Sequence, residues 1–124
     1  MSEIKVFKLD YEAVLKKLRE YAKRKLSSNV MAIVLIGSLA RGDYTAFSDA
    51  DIVIIVKNDS RRFVDRIAEY IDTDLGIDVE PRVYTVDEIM GMCKERRRIV
   101  KEIAEHGILL AGNQKIIDML RKCI

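Results

Sequence analysis

The sequence predicts an α/β chain of the α+β kind: a small mixed β-sheet, core strand order 1-2-3, flanked by helices. Three observations carry this. Two short, β-branched, continuously apolar runs, Val30–Ile36 and Ile52–Val56, have the length and composition of buried strands. About a dozen residues join them, too few for a helical crossover, so they are expected to run antiparallel. A helix-length segment separates the second run from a third, Ile77–Tyr84, so that pair is expected to run parallel. The 124 residues contain no internal repeat, low-complexity tract or linker, and read as one domain, 1–124.

In chain order, Asp10 is placed to cap a helix running to about Leu26. Tyr11, Val14, Leu15, Leu18, Ala22 and Leu26 repeat at helical spacing, with Lys16, Lys17, Lys23 and Arg24 opposite. Ser27-Ser28-Asn29 ends it. After the first strand, Gly37 to Ser48 reads as a loop with room for a helical turn. After the second, Asp59-Ser60 caps a second helix whose apolar face is Phe63, Ile67, Ile71 and Leu75, stopped by Gly76. Pro81 cannot donate to a ladder, which puts the third strand at a sheet edge. Thr85-Val86-Asp87-Glu88 has capping-box spacing. It opens a third helix with Ile89, Met90, Cys93, Val100 and Ile103 as its stripe, ending near Gly107. Ile108 to Ala111 reads as a short strand and Gln114 to Ile124 as a terminal helix. No G-x-G-x-x-G is present, and a doubly wound dinucleotide fold is not expected.

Composition excludes several classes. Hydrophobic residues make up 49% and charged residues 34%, which is not a disordered chain. No apolar run approaches the about 18–20 residues that span a bilayer, so no membrane association is expected. The start, Met1-Ser2-Glu3-Ile4-Lys5, lacks a signal peptide's apolar stretch, and the expected location is cytoplasmic. Two cysteines and one histidine do not make a Cys/His zinc site or a secreted disulfide scaffold. Cys93 is expected in the core and Cys123 in a loose tail. Net charge is +2, but residues 1–42 carry +5, residues 43–88 carry −7 and residues 89–124 carry +4. An acidic middle between basic flanks repels phosphate unless a cation intervenes, and suits a divalent metal.

The chemistry concentrates in Val34 to Val53. A buried strand delivers the backbone to Gly37-Ser38. Gly37 permits close approach of a ligand, and the N–H groups after it, with the Ser38 hydroxyl, can hold phosphate oxygens. Asp49 and Asp51 then stand at the mouth of the next strand, where i, i+2 spacing puts both carboxylates on one face. Such a pair is costly unless a cation sits between its members. Mg²⁺ suits it, taking one or two carboxylates plus phosphates and water, and two ions could clamp both oxygens of a phosphoryl displacement. Asp78 and Glu80 repeat the spacing on the third strand. Either can supply a third carboxylate, as metal ligand or as acceptor of a hydroxyl proton.

Gly37-Ser38-x-Ala40-Arg41-Gly42, followed by Ser48-Asp49-x-Asp51-Ile52, resembles the signature of the DNA polymerase β-like nucleotidyltransferase superfamily. Within it the chain is most similar to the minimal nucleotidyltransferase (MNT) domains of prokaryotes, and Val79 to Thr85 resembles the family's third strand. The resemblance implies a nucleotidyltransferase fold and Mg²⁺-dependent transfer of a nucleoside monophosphate, with ATP as donor, to a hydroxyl. It implies Asp49, Asp51 and Glu80 as metal-binding and catalytic residues, Glu80 being chosen over Asp78, and Gly37, Ser38 and Arg41 as nucleotide-binding. A Glu stands where many relatives carry Asp. MNT domains of this size also resemble antitoxins paired with HEPN-type helical ribonuclease toxins. The resemblance thus implies such a toxin as partner and its hydroxyl as acceptor of AMP.

For Arg41, phosphate binding and a salt bridge to Asp43 or another nearby carboxylate stand as equal readings. Ser48 is expected to cap its turn, His106 to sit at a helix C-terminus, and Arg96-Arg97-Arg98 to form a solvated helix face. Two further functions were weighed: a non-catalytic module that neutralises a partner by binding, and a nucleic-acid-binding α/β domain. The retained acidic cluster disfavours the first. Near-neutral charge and the lack of aromatic residues beside the basic runs disfavour the second, so no direct nucleic-acid binding is expected. Homo-oligomerisation stays open.

Overall fold

Seven consecutive apolar residues, Val30 to Ile36, require an apolar layer on each side of their strand. The computed structural model, which describes residues 3–45 and 48–124 and only the backbone of residues 3–10, provides both layers. Helix α1 spans Glu3–Lys25, strand β1 Val30–Ile36, the short helix α2 Gly37–Arg41 and strand β2 Ala50–Val56. A 3₁₀ helix, Phe63–Tyr70, leads to strand β3, Val79–Thr85. Helices α3, Val86–Lys94, and α4, Arg98–His106, strand β4, Ile108–Gly112, and helix α5, Gln114–Arg121, complete it.

The sheet order is β3-β2-β1-β4. β1 pairs antiparallel with β2 and β4, and β2 parallel with β3, as the connection lengths require. Pro81 lies in the edge strand, opposite Ile52. Alternation along the strands divides the core. Ile33, Leu35, Ile52 and Ile54 face Leu18, Tyr21 and Ala22 of α1. Val34, Ile36, Val53 and Ile55 face Ile89, Val100, Ile103, Ile117 and Leu120 of α3, α4 and α5. Burial of each such aliphatic side chain contributes about 1.5–3 kcal/mol. Asp51 lies in phase with Val53 and Ile55, and Glu80 in phase with Arg82. Both carboxylates therefore belong to the α3–α5 side of the sheet, at the end where β1 leaves and β2 and β3 enter.

Four expectations are corrected. The first helix begins at Glu3, so Asp10 lies within it and does not cap it; residues 3–9 hold no Gly or Pro to stop the helix. The second helix is a 3₁₀ turn with its N-cap at Arg62, not at Asp59-Ser60. With three residues per turn, it buries Arg66 and Tyr70, leaving Phe63 and Ile71 exposed. The third helix is two, broken where Arg96 adopts φ +55°. Cys123 is not in a loose tail: it forms a disulfide with Cys93, with the Cα atoms 5.5 Å apart, tying the end of α5 to α3. The capping box at Thr85 and Glu88 forms as expected.

Arg66, only 5% exposed, replaces the expected apolar contact with a polar clamp. Its guanidinium donates to both carboxylate oxygens of Glu88, at 2.6 and 3.2 Å, and to the carbonyls of Asp59, Arg61 and Val83. One buried cation thereby joins the β2–β3 connection, the edge strand and the first turn of α3. Arg66→Ala is expected to lower the unfolding free energy by about 3 kcal/mol, the lower end for a broken buried pair, because the Glu88 side chain stays 43% exposed. Urea denaturation measures it. Arg66 also holds the Glu88 carboxyl below the usual carboxylate range. A depressed carboxyl adds stability above its unfolded pKa, and the gain is lost as pH falls through the folded value. The gap between wild type and variant is therefore expected to narrow below about pH 4.

Candidate active site

The end of β1 turns directly into α2 through Gly37. Its φ of +77° is one that side chains rarely adopt, and a Cβ there would collide with the Asp51 carboxylate. Glycine thus lets the α2 turn sit against the first acidic residue of β2. Strand register does the rest: Ile36 pairs with Asp51, and Asp51 with Glu80. Glu80 shares a hydrogen bond with Asp51. That bond, chiefly, raises its carboxyl above the usual carboxylate range, helped by partial loss of solvent and by the charges of Asp51 and Asp49. Asp78 precedes β3, and its carbonyl accepts the Ala50 N–H at 2.8 Å. The structure therefore sets Asp51 opposite Glu80, with Asp49 just before β2 and Asp78 just before β3.

The donor set is one that a hard cation would relieve: oxygen ligands only, and mutually repelling. Among the described residues, no group of three His, Cys, Asp or Glu side chains is arranged to hold a metal ion by itself. That is compatible with Mg²⁺, which keeps waters and takes much of its coordination from substrate phosphates.

Beside the carboxylates lies a cavity of about 420 Å³. Gly37, Ser38 and Arg41 of α2, Asp51 of β2, Arg82 of β3, and Arg98, Ile99 and Glu102 of α4 line it. The Ser38 hydroxyl donates to the Ser48 hydroxyl at 3.1 Å, and Ser48 Oγ accepts the Thr45 N–H at 2.8 Å, which closes the turn before Asp49. Arg41 is ion-paired with Glu102 at 2.8 Å and Asp43 at 3.3 Å. Of its two readings, this conformation shows the salt bridge.

Sequence reasoning passed over Arg82, Arg98 and Glu102. Arg82 had a signal, since i+2 from Glu80 puts it on the same strand face. Arg98 had none, because nothing in Arg96-Arg97-Arg98 marks which arginine reaches the cavity once the helix restarts.

The chain matches the nucleotidyltransferase domain family over residues 15–110. It is 36% identical over 53 residues to a Methanocaldococcus jannaschii protein named, by inference, a protein adenylyltransferase. That match covers 43% of this chain and 36% of the relative's length. The fold resembles that of a Sulfolobus solfataricus protein, described by inference as a nucleotidyltransferase, with TM-score 0.59, 24% identity and 86% of each chain covered. It also resembles a chain from the complex of a tri-AMPylated Shewanella oneidensis HEPN toxin with MNT antitoxin. There the TM-score is 0.50, the identity 15%, and the coverage 89% of this chain and 79% of that one.

Because the acidic residues repel, the paired substitution Asp49→Asn/Asp51→Asn is expected to leave the melting temperature unchanged or slightly raised. Scanning calorimetry on metal-free protein measures it. A large drop would mean that the pair supports the fold rather than a ligand.

Proposed function

This chain belongs to the nucleotidyltransferase domain family, and from that premise we propose that it transfers AMP from ATP to a hydroxyl of a partner protein. The observation that carries the reading is the convergence of Gly37, Asp51 and Glu80 at one end of the sheet, beside a cavity that also holds Ser38. In such a transfer the acceptor oxygen forms a bond to the α-phosphorus, the α–β phosphoanhydride bond breaks, and pyrophosphate leaves. The chain's groups divide that work. The N–H groups of the first turn of α2, left without partners inside the helix, and the Ser38 hydroxyl bind phosphate oxygens. Asp49, Asp51 and Glu80 would hold Mg²⁺, which would neutralise triphosphate charge and polarise the phosphoryl group. Glu80, with its raised carboxyl, serves as third ligand or as acceptor of the hydroxyl proton.

A HEPN-type toxin is the acceptor that the resemblances favour. The Shewanella complex, in which a tri-AMPylated HEPN toxin is bound to MNT antitoxin, supports this reading. The cavity is partly open to solvent, so a partner surface would supply both the hydroxyl and a further wall. The test uses a HEPN-type ribonuclease as the acceptor protein. Mixed with the chain, ATP and Mg²⁺, that protein is expected to gain AMP by intact mass, with pyrophosphate released and its ribonuclease activity lost. Neither is expected from Asp49→Asn/Asp51→Asn. Silencing without added mass, undiminished in that variant, would instead establish a module that acts by binding alone.

A further inference from the structure

Resting on the nucleotidyl-transfer reading above, we infer that Arg82 and Arg98 grip the outer phosphates of the triphosphate donor, while Arg41 stays bound to Glu102. Three arginines line the cavity beside the carboxylates. Arg41 is the one that stands nearest in sequence to the Gly37-Ser38 turn, yet it is already neutralised by Glu102 and Asp43. A phosphate could recruit it only by displacing one of those carboxylates. Arg82 and Arg98 are exposed and, among the described residues, take part in no ion pair. Their charges are therefore uncommitted.

They also come from opposite sides. Arg82 rises from the sheet two residues after Glu80, on the same face. Arg98 reaches in from the first residue of α4, beside Ile99. Glu102 is spent on Arg41, so Asp51 is the remaining carboxylate facing them in the cavity. Two free cations opposite an acidic cluster make a site with poles. A triphosphate laid across it puts its α-phosphate toward the carboxylates and its β- and γ-phosphates toward the arginines. Negative charge accumulates on the β-phosphate as pyrophosphate departs, so cations there act where charge develops. Guanidinium groups suit that position, since they bind phosphate oxygens in pairs and keep their charge.

The test is direct binding with Mg²⁺ by titration calorimetry, using a non-hydrolysable ATP analogue and AMP as the two ligands. Arg82→Gln and Arg98→Gln are each expected to weaken analogue binding about tenfold, the value of one charge-assisted contact, and to leave AMP binding unchanged. Both side chains are exposed, so melting temperatures should match wild type, and Lys at either position should restore part of the loss. Arg97→Gln, whose arginine is paired with Glu95 outside the cavity, should bind like wild type. Analogue binding at full strength in both variants would overturn the inference and leave the transfer reading standing. Equal loss for analogue and AMP would overturn the assignment to the outer phosphates. Failure of wild type to bind either nucleotide would overturn the inference and its premise together.

Discussion

Asp51 and Glu80 are like charges held side by side, and the rest of the structure has to support that arrangement. Parallel register between β2 and β3 sets them opposite one another, and the hydrogen bond they share is all the pair itself offers against their repulsion. The support comes from hydrophobic burial. β1 and β2 are covered on both faces, with every residue from Ile52 to Val56 essentially inaccessible. Sliding either strand by one residue would exchange the side chains of its two faces and force both packed core layers to rearrange. The penalty of that slip far exceeds the repulsion between two partly solvated carboxylates. The stable sheet thus imposes an unfavourable cluster at its end, and a cation bound there would recover the cost.

The edge strand is the vulnerable member. β3 pairs on one side only, carries Pro81, and is partly exposed along its outer positions. Arg66 and Glu88 brace it: the arginine bonds the Val83 carbonyl, while the same Glu88 carboxylate completes the capping box of α3. The carboxylate that ends the strand's loop thus fixes α3, and α4 restarts beyond the break at Arg96. The strand that carries Glu80 and Arg82 is thus braced by an ion pair whose cation is buried and whose carboxylate is partly exposed.

The strands and their directions were legible because they rest on short-range facts: continuous β-branched runs, connection lengths and one proline. The acidic pair was legible because i, i+2 on a strand has one geometric meaning. Glu80 against Asp78 could not be decided by spacing, since both share the period; it took the register to set Glu80 opposite Asp51. The 3₁₀ helix was misread because Phe63, Ile67, Ile71 and Leu75 fit the 3.6-residue period. A tighter winding moved Arg66 into the interior, where five acceptor oxygens satisfy it. The break at Arg96 and the Cys93–Cys123 pairing depend on how α3, α4 and α5 meet, which no local pattern records. Arg98 was missed for the same reason, whereas Arg82 carried the strand-face signal of its i, i+2 spacing from Glu80.

The central claim is that the acidic end of the sheet binds a triphosphate only through a divalent cation. Titration of the intact chain with ATP, in Mg²⁺ and again in excess chelator, tests it most directly. Saturable binding in Mg²⁺ that vanishes with chelator is the predicted result. Equal affinity in both buffers would contradict the claim, because it would place the phosphates away from Asp49, Asp51 and Glu80.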